Sequence, residues 1–532
     1  MIKDKRKNEG GDFSRNIISG TLSMTASALI VKFIGLIYKI PISSLLGDVG
    51  MGYFNSAYTM YSFFYLLCTA GVPKAIMIVI SEARVKGRSV DEKKIMSVAY
   101  ATFISLGIFL CAALILFSRP LAELIGNKPS CASMISIAPS ILFVSIGGVI
   151  RGYLSAGAQL GEIAVSGIIE SVGKLGVGLA LAMIGKRMNL PLDRVAAMTI
   201  FGVTVGAFFG SLYLYICSKK QKTGEKAEQS SPITATGVII KRILSISIPI
   251  TLSAAILSIT GIIDLGLIMR SLSKLGYSDN VTSALYGNYT TIAVPMFNLS
   301  TALISPISIA FLPVFTRHIV SSDNDGFIKA EKQTLDLTCL LCAPLTFGFI
   351  VYSKEIITLL FPSSELHSGA TLLCFISPAI LFSSSLLIVN TILEARGMPT
   401  APLVSMTVGG IVKALSSYLL ITETDLGILG APLGTVISYG AALLVSMLMY
   451  VKTFKRHFPI FERAAVPYSI SFISLILSRI VYDNMISVID FLPAFIISVL
   501  CAALIYLVFS TLFGTVNPFE YFKMAKYTNL PE

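Results

Sequence analysis

The sequence predicts an all-α protein that crosses a membrane about fourteen times, built as two six-helix lobes followed by two further helices. Three observations carry this expectation. The 532 residues are 54% hydrophobic and only 13% charged, with a mean hydropathy of +0.80, against roughly 25% charged residues in an ordinary soluble domain. Apolar runs of the length that spans a bilayer, about 18 residues or more, recur from one end of the chain to the other. One stretch also repeats: SIAPSILFVS (136–145) matches FISPAILFSS (375–384) at six of ten positions, at an offset of 239 residues.

The leader MIKDKRKNEGGDFSR is polar and basic, and the apolar run after it is too long for a signal-peptide core and has no A-x-A-like site. No removable signal is therefore expected. The first segment, 16–43, carries Lys32 and Lys39. A lysine at mid-membrane costs roughly 2.5–3.5 kcal/mol on insertion scales. Seven residues apart on a helix, the two ammonium groups share a face about 10 Å apart along the axis. Thr21, Thr25, Ala28, Lys32, Gly35 and Lys39 make one small and polar stripe, suited to a water-filled interior rather than to lipid. Lys39 lies near enough to the outer boundary that snorkelling to the headgroups stays open beside a cavity role.

Segments 53–81, 95–118, 131–156, 163–185 and 195–217 complete a first lobe, 1–218. Lys74 and Arg151 fall within a few turns of its cytoplasmic end, where snorkelling accounts for them. Glu170 precedes Lys174 by four residues, the favourable order for an ion pair along one helix. The polar stretch KKQKTGEKAEQSSPITATG (219–237) reads as a flexible cytoplasmic connector. A second lobe, 238–452, holds segments 239–270, 283–312, 335–352, 369–393, 402–421 and 428–451. At the same 239-residue offset Leu154, Val165 and Lys174 pair with Leu393, Val404 and Lys413, and a weaker pair joins GYFN (52–55) to YGNY (286–289). Such parallel halves place a substrate site between them.

Within TGIIDLGLIMRSL, Asp264 and Arg270 are six residues apart, so they do not share a helix face and do not simply neutralise each other. Two readings stay open for Asp264: an ion pair with Lys39 or Lys32, or coupling to a proton or cation. Arg270 marks either a cavity cation or the outer end of its helix. Lys413 lies on a face with Gly409, Gly410, Ser416 and Ser417, suited to close packing or to a polar cavity. Prolines 73, 139, 249, 295, 306 and 378 are read as kinks inside helices. Segments 466–482 and 489–513, within 453–532, stand outside the repeat.

With the N-terminus inside, the inner stretches hold 26 Lys and Arg residues and the outer loops 8, which puts both termini in the cytoplasm. Anionic lipid headgroups then account for the net charge of +12, and nucleic acid is not an expected partner. Seven basic residues remain inside segments, Lys32, Lys39, Lys74, Arg151, Lys174, Arg270 and Lys413, against Asp264 and Glu170. The membrane interior is net cationic. Cys339 and Cys342 form a C-x-x-C with no second pair and no neighbouring histidine, and read as buried apolar residues. Three histidines and no clustered carboxylates argue against a metal centre, and no cofactor is expected.

LLGDVGMGYFNSAYTMYSFFYLLCTAGVPKAI (45–76), the preceding FIGLIYKIPIS, RGYLSAG (151–157), Ser81–Glu82 and GIIDLGLIMRSL (261–272) resemble the MOP flippase superfamily. Within it they are most similar to the stage V sporulation protein B and MurJ-type group of polysaccharide and lipid II flippases. The resemblance covers essentially the whole chain. It implies two lobes around a cationic cavity that receives the diphosphate of an undecaprenyl-linked saccharide and alternates between inward and outward states. It also implies a lipid-tail groove at the last two helices. By position, Lys39 stands where that group usually has arginine, and Arg270 and Asp264 match its basic and acidic residues in the seventh helix. Thr59 replaces a usual proline and Ala156 a usual glutamine.

The residues expected to bind substrate are Lys32, Lys39 and Arg270, with Asp264 as a coupling or ion-pair group and Asn55, Glu82 and Lys413 as secondary cavity candidates. The expected function is a flippase in the plasma membrane, monomeric, coupled to a monovalent cation or the membrane potential, with a lipid-linked oligosaccharide and anionic lipids as partners. Two alternatives stand beside it. A cation-coupled multidrug exporter of the same superfamily would want acidic residues in its cavity. A polyprenyl-phosphate-dependent membrane enzyme would need clustered acids or histidines in an external loop, for which Glu365 and His367 are the nearest candidates.

Overall fold

The computed structural model describes residues 2–85, 89–157, 159–220, 235–361 and 368–513. Most of the 219–237 connector, and Glu365 with His367, lie outside the described residues. Every regular element among the described residues is helical. The chain opens with α1, Ile2–Thr69, which is two helices joined at Gly47. There φ is 64° and ψ −178°, a conformation essentially reserved for glycine. The apolar run expected over 53–81 is divided at Ala70–Gly71, after which α2 runs over Val72–Val85.

Next come α3 (Ser89–Leu116), α4 (Ser118–Leu124), α5 (Ser130–Ile137), α6 (Ser140–Ala156), α7 (Leu160–Arg187) and α8 (Leu192–Lys220). After the connector follow α9 (Thr236–Lys274), α10 (Asp279–Asn288), a π-helical turn at Tyr289–Ala293, and α11 (Val294–Val320). The rest of the chain is α12 (Asn324–Val351), α13 (Ser353–Leu360), α14 (Ser368–Ile376), α15 (Ala379–Ala395), α16 (Ala401–Thr422), α17 (Gly430–Phe454), α18 (Ile460–Met485) and α19 (Phe491–Leu512).

Among the described residues, twelve helical stretches are long and apolar enough to cross a membrane. One of them, Ile30–Arg84, has 55 residues, room for two crossings of a core that takes about 20 residues each. The 39-residue α9 is a further helix of spanning length outside the twelve. The chain is a polytopic all-α membrane protein.

The repeat offset reappears in the element boundaries. The break between α5 and α6 falls at Pro139, and that between α14 and α15 at Pro378, 239 residues on. Pro73 and Pro295 likewise lie in the first turn of a helix. Of the six prolines expected as kinks, only Pro249 and Pro306 are inside helices. The others restart a helix because a proline ring fits the first turn and clashes with the carbonyl four residues back anywhere later.

Grouping by contact gives two compact units, one up to Thr291 and one from Ile292 onward, with the boundary inside the π-helical turn. Contact therefore joins α9 and α10 to the first unit, although the repeat counts them at the head of the second half. In the first unit the two short motifs of the weaker repeat touch. A Cβ on Gly52 would lie 2.1 Å from the Ser283 carbonyl oxygen, and one on Gly287 2.3 Å from that of Asp48, so α1 and α10 approach at distances only glycine allows.

Ion pairs fix which helix ends meet. In the first unit Arg84 at the end of α2 holds Glu92 at the start of α3 at 2.7 Å and donates to the Ala156 carbonyl, which ends α6, at 2.8 Å. Arg242 near the start of α9 pairs with Glu82 of α2 at 2.6 Å. Val72, Ile76, Ile80, Ile150 and Leu154 pack beneath them. In the second unit Glu331, 239 residues after Glu92, is wholly buried near the start of α12 and is bound by Arg456 and, at 2.5 Å, by the Tyr450 hydroxyl. At the far end of α12, Arg479 of α18 pairs with Glu355 at 2.8 Å, and Tyr352 and Ser478 share a hydrogen bond of 2.8 Å. Cys339 and Cys342 are free and buried on α12.

Candidate functional site

A cavity of about 780 Å³ opens within the first unit, walled by both parts of α1 and by α6, α7 and α8. Its floor is aromatic. Tyr58, Tyr61 and Tyr65 follow one another at spacings of three and four residues, which on a helix is one face. Their ring centroids step down that face at 5.8 Å intervals, continuing a 6.3 Å contact of Phe54 with Tyr58. Tyr38 faces them from before the Gly47 break, and Ser27, Ser62 and Ser171 add hydroxyl groups.

Three cations and one acid line the same space: Lys32, Arg151, Lys174 and Glu170. Glu170 does not pair along its own helix with Lys174, as its spacing led one to expect. An Arg151 nitrogen donates to its Oε2 at 2.9 Å, with the two side chains 20% and 25% exposed. Arg151 is thus a wall of the cavity rather than a snorkelling residue. Lys174 turns instead onto the tyrosines, with its Nζ 4.7 Å from the ring centre of Tyr58 and 5.2 Å from that of Tyr38. That range suits a cation–π contact.

Of the residues singled out in the sequence, Lys32 and Gly35 of the polar stripe line this cavity. The side chains of Thr21, Thr25 and Ala28 lie outside the described residues. Lys39 is held beside it: its Nζ donates to the Thr290 carbonyl at 2.7 Å. That carbonyl belongs to the π-helical turn, where an i to i+5 bond would seek the N–H of residue 295, and residue 295 is proline. Lacking that donor, the carbonyl is available to a side chain.

Asn55 donates to the Thr291 hydroxyl at 2.7 Å, buried, and so ties α1 to the same turn. Asp264 is buried on α9, at 8% exposure. Arg270 is exposed near the end of α9 and lies beside the turn at Gly126, where a Cβ would sit 3.8 Å from its Cγ. Glu82 is committed to Arg242 at the end of α2. Lys413 lies partly buried on α16 in the second unit, and its own carbonyl accepts from Ser416 at 3.3 Å. Reasoning from sequence missed the tyrosine face, although the 58, 61, 65 spacing displays it, and it placed Arg151 and Lys174 outside any site.

A family model described as polysaccharide biosynthesis protein matches residues 17–318. Among curated proteins, the chain is 22% identical over 451 residues to stage V sporulation protein B of Bacillus subtilis (strain 168), covering 84% of this chain and 85% of that one. It is 25% identical over 464 residues to the lipid II flippase MurJ of the same organism, covering 84% and 83%. Among solved structures, a lipid II flippase MurJ in an inward closed conformation superposes with a TM-score of 0.69 at 15% identity, over 92% of this chain and 98% of that one. That likeness concerns the fold. By the family match, which takes in more than half of its residues, this chain belongs to the polysaccharide biosynthesis protein family.

Proposed function

We propose that this protein is a flippase of the plasma membrane that carries a saccharide linked to undecaprenyl diphosphate, lipid II-like or another cell-envelope precursor, from the inner to the outer leaflet by alternating access. It is a transporter rather than an enzyme, works as a monomer, and has both termini in the cytoplasm. Lys32, Lys39 and Arg270 engage the diphosphate. Asp264 couples transport to a monovalent cation or to the membrane potential.

The observation that carries this reading is the charge of the cavity in the first unit. Three cations face one acid there, and in a low-dielectric site such an excess attracts an anionic headgroup. A multidrug exporter of cationic compounds would need the opposite balance. The relatives named for lipid II transport and sporulation point the same way.

The test is translocation of a lipid-linked oligosaccharide in cells, measured beside the amount of protein in the membrane. The Lys32→Ala, Lys39→Ala, Arg270→Ala triple variant should insert normally, because removing a membrane lysine relieves an insertion cost of roughly 2.5–3.5 kcal/mol, and yet fail to transport. Lys39→Arg should keep activity. Full transport by the triple variant would end the proposal.

A further inference from the structure

Binding a diphosphate would account for a lysine at position 39, but not for the π-helical turn at Tyr289–Ala293 that the lysine touches. Helices leave α geometry for a π turn rarely, and often at functional sites. This one lies where the chain passes out of the first unit. We propose that Pro295 and the Thr290 carbonyl are positioning groups for Lys39: the carbonyl holds the ammonium in waiting, the diphosphate takes it over, and the turn rearranges in answer. The proposal rests on the flippase reading above, with Lys39 as one of the diphosphate ligands.

Three observations lead to it. Lys39 rests on a neutral carbonyl, 2.7 Å away, rather than on a carboxylate. A dipole holds an ammonium more weakly than a full negative charge does, so an arriving diphosphate oxygen wins it. Next, the carbonyl cannot be satisfied within its own helix. Proline at 295 has no N–H to give in the π register, and its ring opposes closing the segment into the α register. Once Lys39 leaves, the Thr290 carbonyl has lost its donor in a part-buried site, and the turn relieves that only by changing shape. Last, the change has one way to go. On the α10 side the Gly52 and Gly287 contacts leave no room for a methyl group, Asn55 holds the Thr291 hydroxyl at 2.7 Å, and the Thr290 hydroxyl is spent on the Tyr286 carbonyl at 2.7 Å. With that side held, rearrangement passes into α11, which follows the turn directly. Its driving force is the difference between the two partners of Lys39.

Pro295→Ala tests this, because it returns the missing N–H. The Thr290 carbonyl then finds a backbone donor, from residue 295 in the π register or from residue 294 once the segment closes into the α register, and Lys39 is set free. Alanine is the best helix former, so the variant should fold. The full-length protein in lipid nanodiscs would be titrated with a bare prenyl diphosphate. Without ligand, acetylation of Lys39 by acetic anhydride would be followed by mass spectrometry. Pro295→Ala should bind the bare lipid about tenfold more tightly, the worth of one charged hydrogen bond that no longer has to be broken. Its Lys39 should be acetylated several-fold faster, while Lys32 reacts at the wild-type rate. In the Lys39→Ala background the same substitution should leave affinity unchanged. Translocation in cells should fall, since binding no longer reaches the turn.

An equal gain in affinity with and without Lys39 would overturn the proposal, by showing that Pro295 acts on the fold at large. Unchanged affinity together with unchanged acetylation, or tighter binding with undiminished transport, would also overturn it while leaving the flippase reading intact. Should the wild type bind no prenyl diphosphate, the flippase reading falls, and acetylation decides the positioning: a faster reaction at Lys39 in Pro295→Ala upholds the grip of the carbonyl on the lysine, and an unchanged rate removes it.

Discussion

Glu170 has two cations within reach of its helix turn, and it takes the one from another helix. A pair with Lys174, one turn away on α7, is worth about 0.2–0.5 kcal/mol on an isolated helix. Arg151 arrives from α6 with a planar fork whose bonds to a carboxylate are shorter and about twice as strong as neutral ones, at a site where both side chains are three-quarters buried or more. The tertiary partner wins, and Lys174 is released to the tyrosine faces. Arg151→Gln and Glu170→Gln should each lower stability by about 1–3 kcal/mol, the penalty for a buried group that loses its partner. The double variant should be destabilised by less than the sum of the two, and Lys174→Gln by less than either. Thermal unfolding of the purified protein in detergent measures all four, and strict additivity would refute the pairing. Spacing along one helix made Glu170 and Lys174 visible as a pair in the sequence. The crossing of α6 over α7 that overrides it has no local signature.

At the scale of elements, the strongest signals in the sequence were those with a backbone cause. Pro139 and Pro378 break their helices at matching places because proline constrains the backbone wherever it stands, so the repeat survives at the boundaries where side chains have diverged. The 239-residue offset also joins Glu92 to Glu331, each buried and each bound by arginine, although Arg84 lies on the preceding helix and Arg456 follows α17. That correspondence was hidden because the partners come from unrelated positions. The approach of α1 to α10 was equally hidden, since a glycine in a helix has several explanations. It yields a sharp contrast: Gly52→Ala sets a methyl 2.1 Å from a carbonyl oxygen, whereas Gly35→Ala meets nothing within 4 Å. Overpacking typically costs about 1–3 kcal/mol, and backbone cannot swing aside as a side chain can. Gly52→Ala should therefore lose most of its monodisperse folded protein by size-exclusion chromatography, and Gly35→Ala should keep it. Equal yields would refute the close approach.

The last two helices invite a further element-scale test. The sequence leads one to expect them outside the repeat, but they are not a detachable appendage. Arg479 of α18 partners Glu355, whose side chain is only 6% exposed, Arg463 reaches Asp336 at 3.5 Å, and the Tyr506 hydroxyl of α19 donates to the Leu340 carbonyl at 2.9 Å. Ending the chain near residue 459 would leave Glu355 buried and without its cation, at a cost of about 3–5 kcal/mol. The truncated protein should be recovered poorly in detergent, and Glu355→Gln within it should restore part of the yield. Recovery equal to the full chain, with or without that change, would count against this anchoring.

At the scale of the whole molecule, the proposed direction of insertion rests on charge, and the ion pairs say which loops within each unit must travel together. Arg84, Glu92, the Ala156 carbonyl, Glu82 and Arg242 gather the end of α2, the start of α3, the end of α6 and the start of α9 at one end of the first unit. In the second unit Arg456 and Glu331 gather the end of α17 with the start of α12. These are the ends that carry the basic stretches, 26 Lys and Arg residues against 8 in the expected topology, and the proposed cytoplasmic placement rests on anionic lipid attracting each by about 1 kcal/mol. Replacing the eight native cysteines by alanine and adding one cysteine at a time tests this with an impermeant thiol reagent on intact cells. Met188→Cys in the turn after α7 and Val488→Cys in the turn after α18, each exposed at the end of its own unit away from the gathered ends, should label from outside. Thr236→Cys and Val320→Cys, exposed beside the gathered ends, should label only after the membrane is opened. Labelling of Thr236→Cys on intact cells would invert the first unit and with it the proposed direction of transport. Labelling of Val320→Cys alone would break the alternation of crossings between α9 and α11, and the fourteen-helix topology would fall with it.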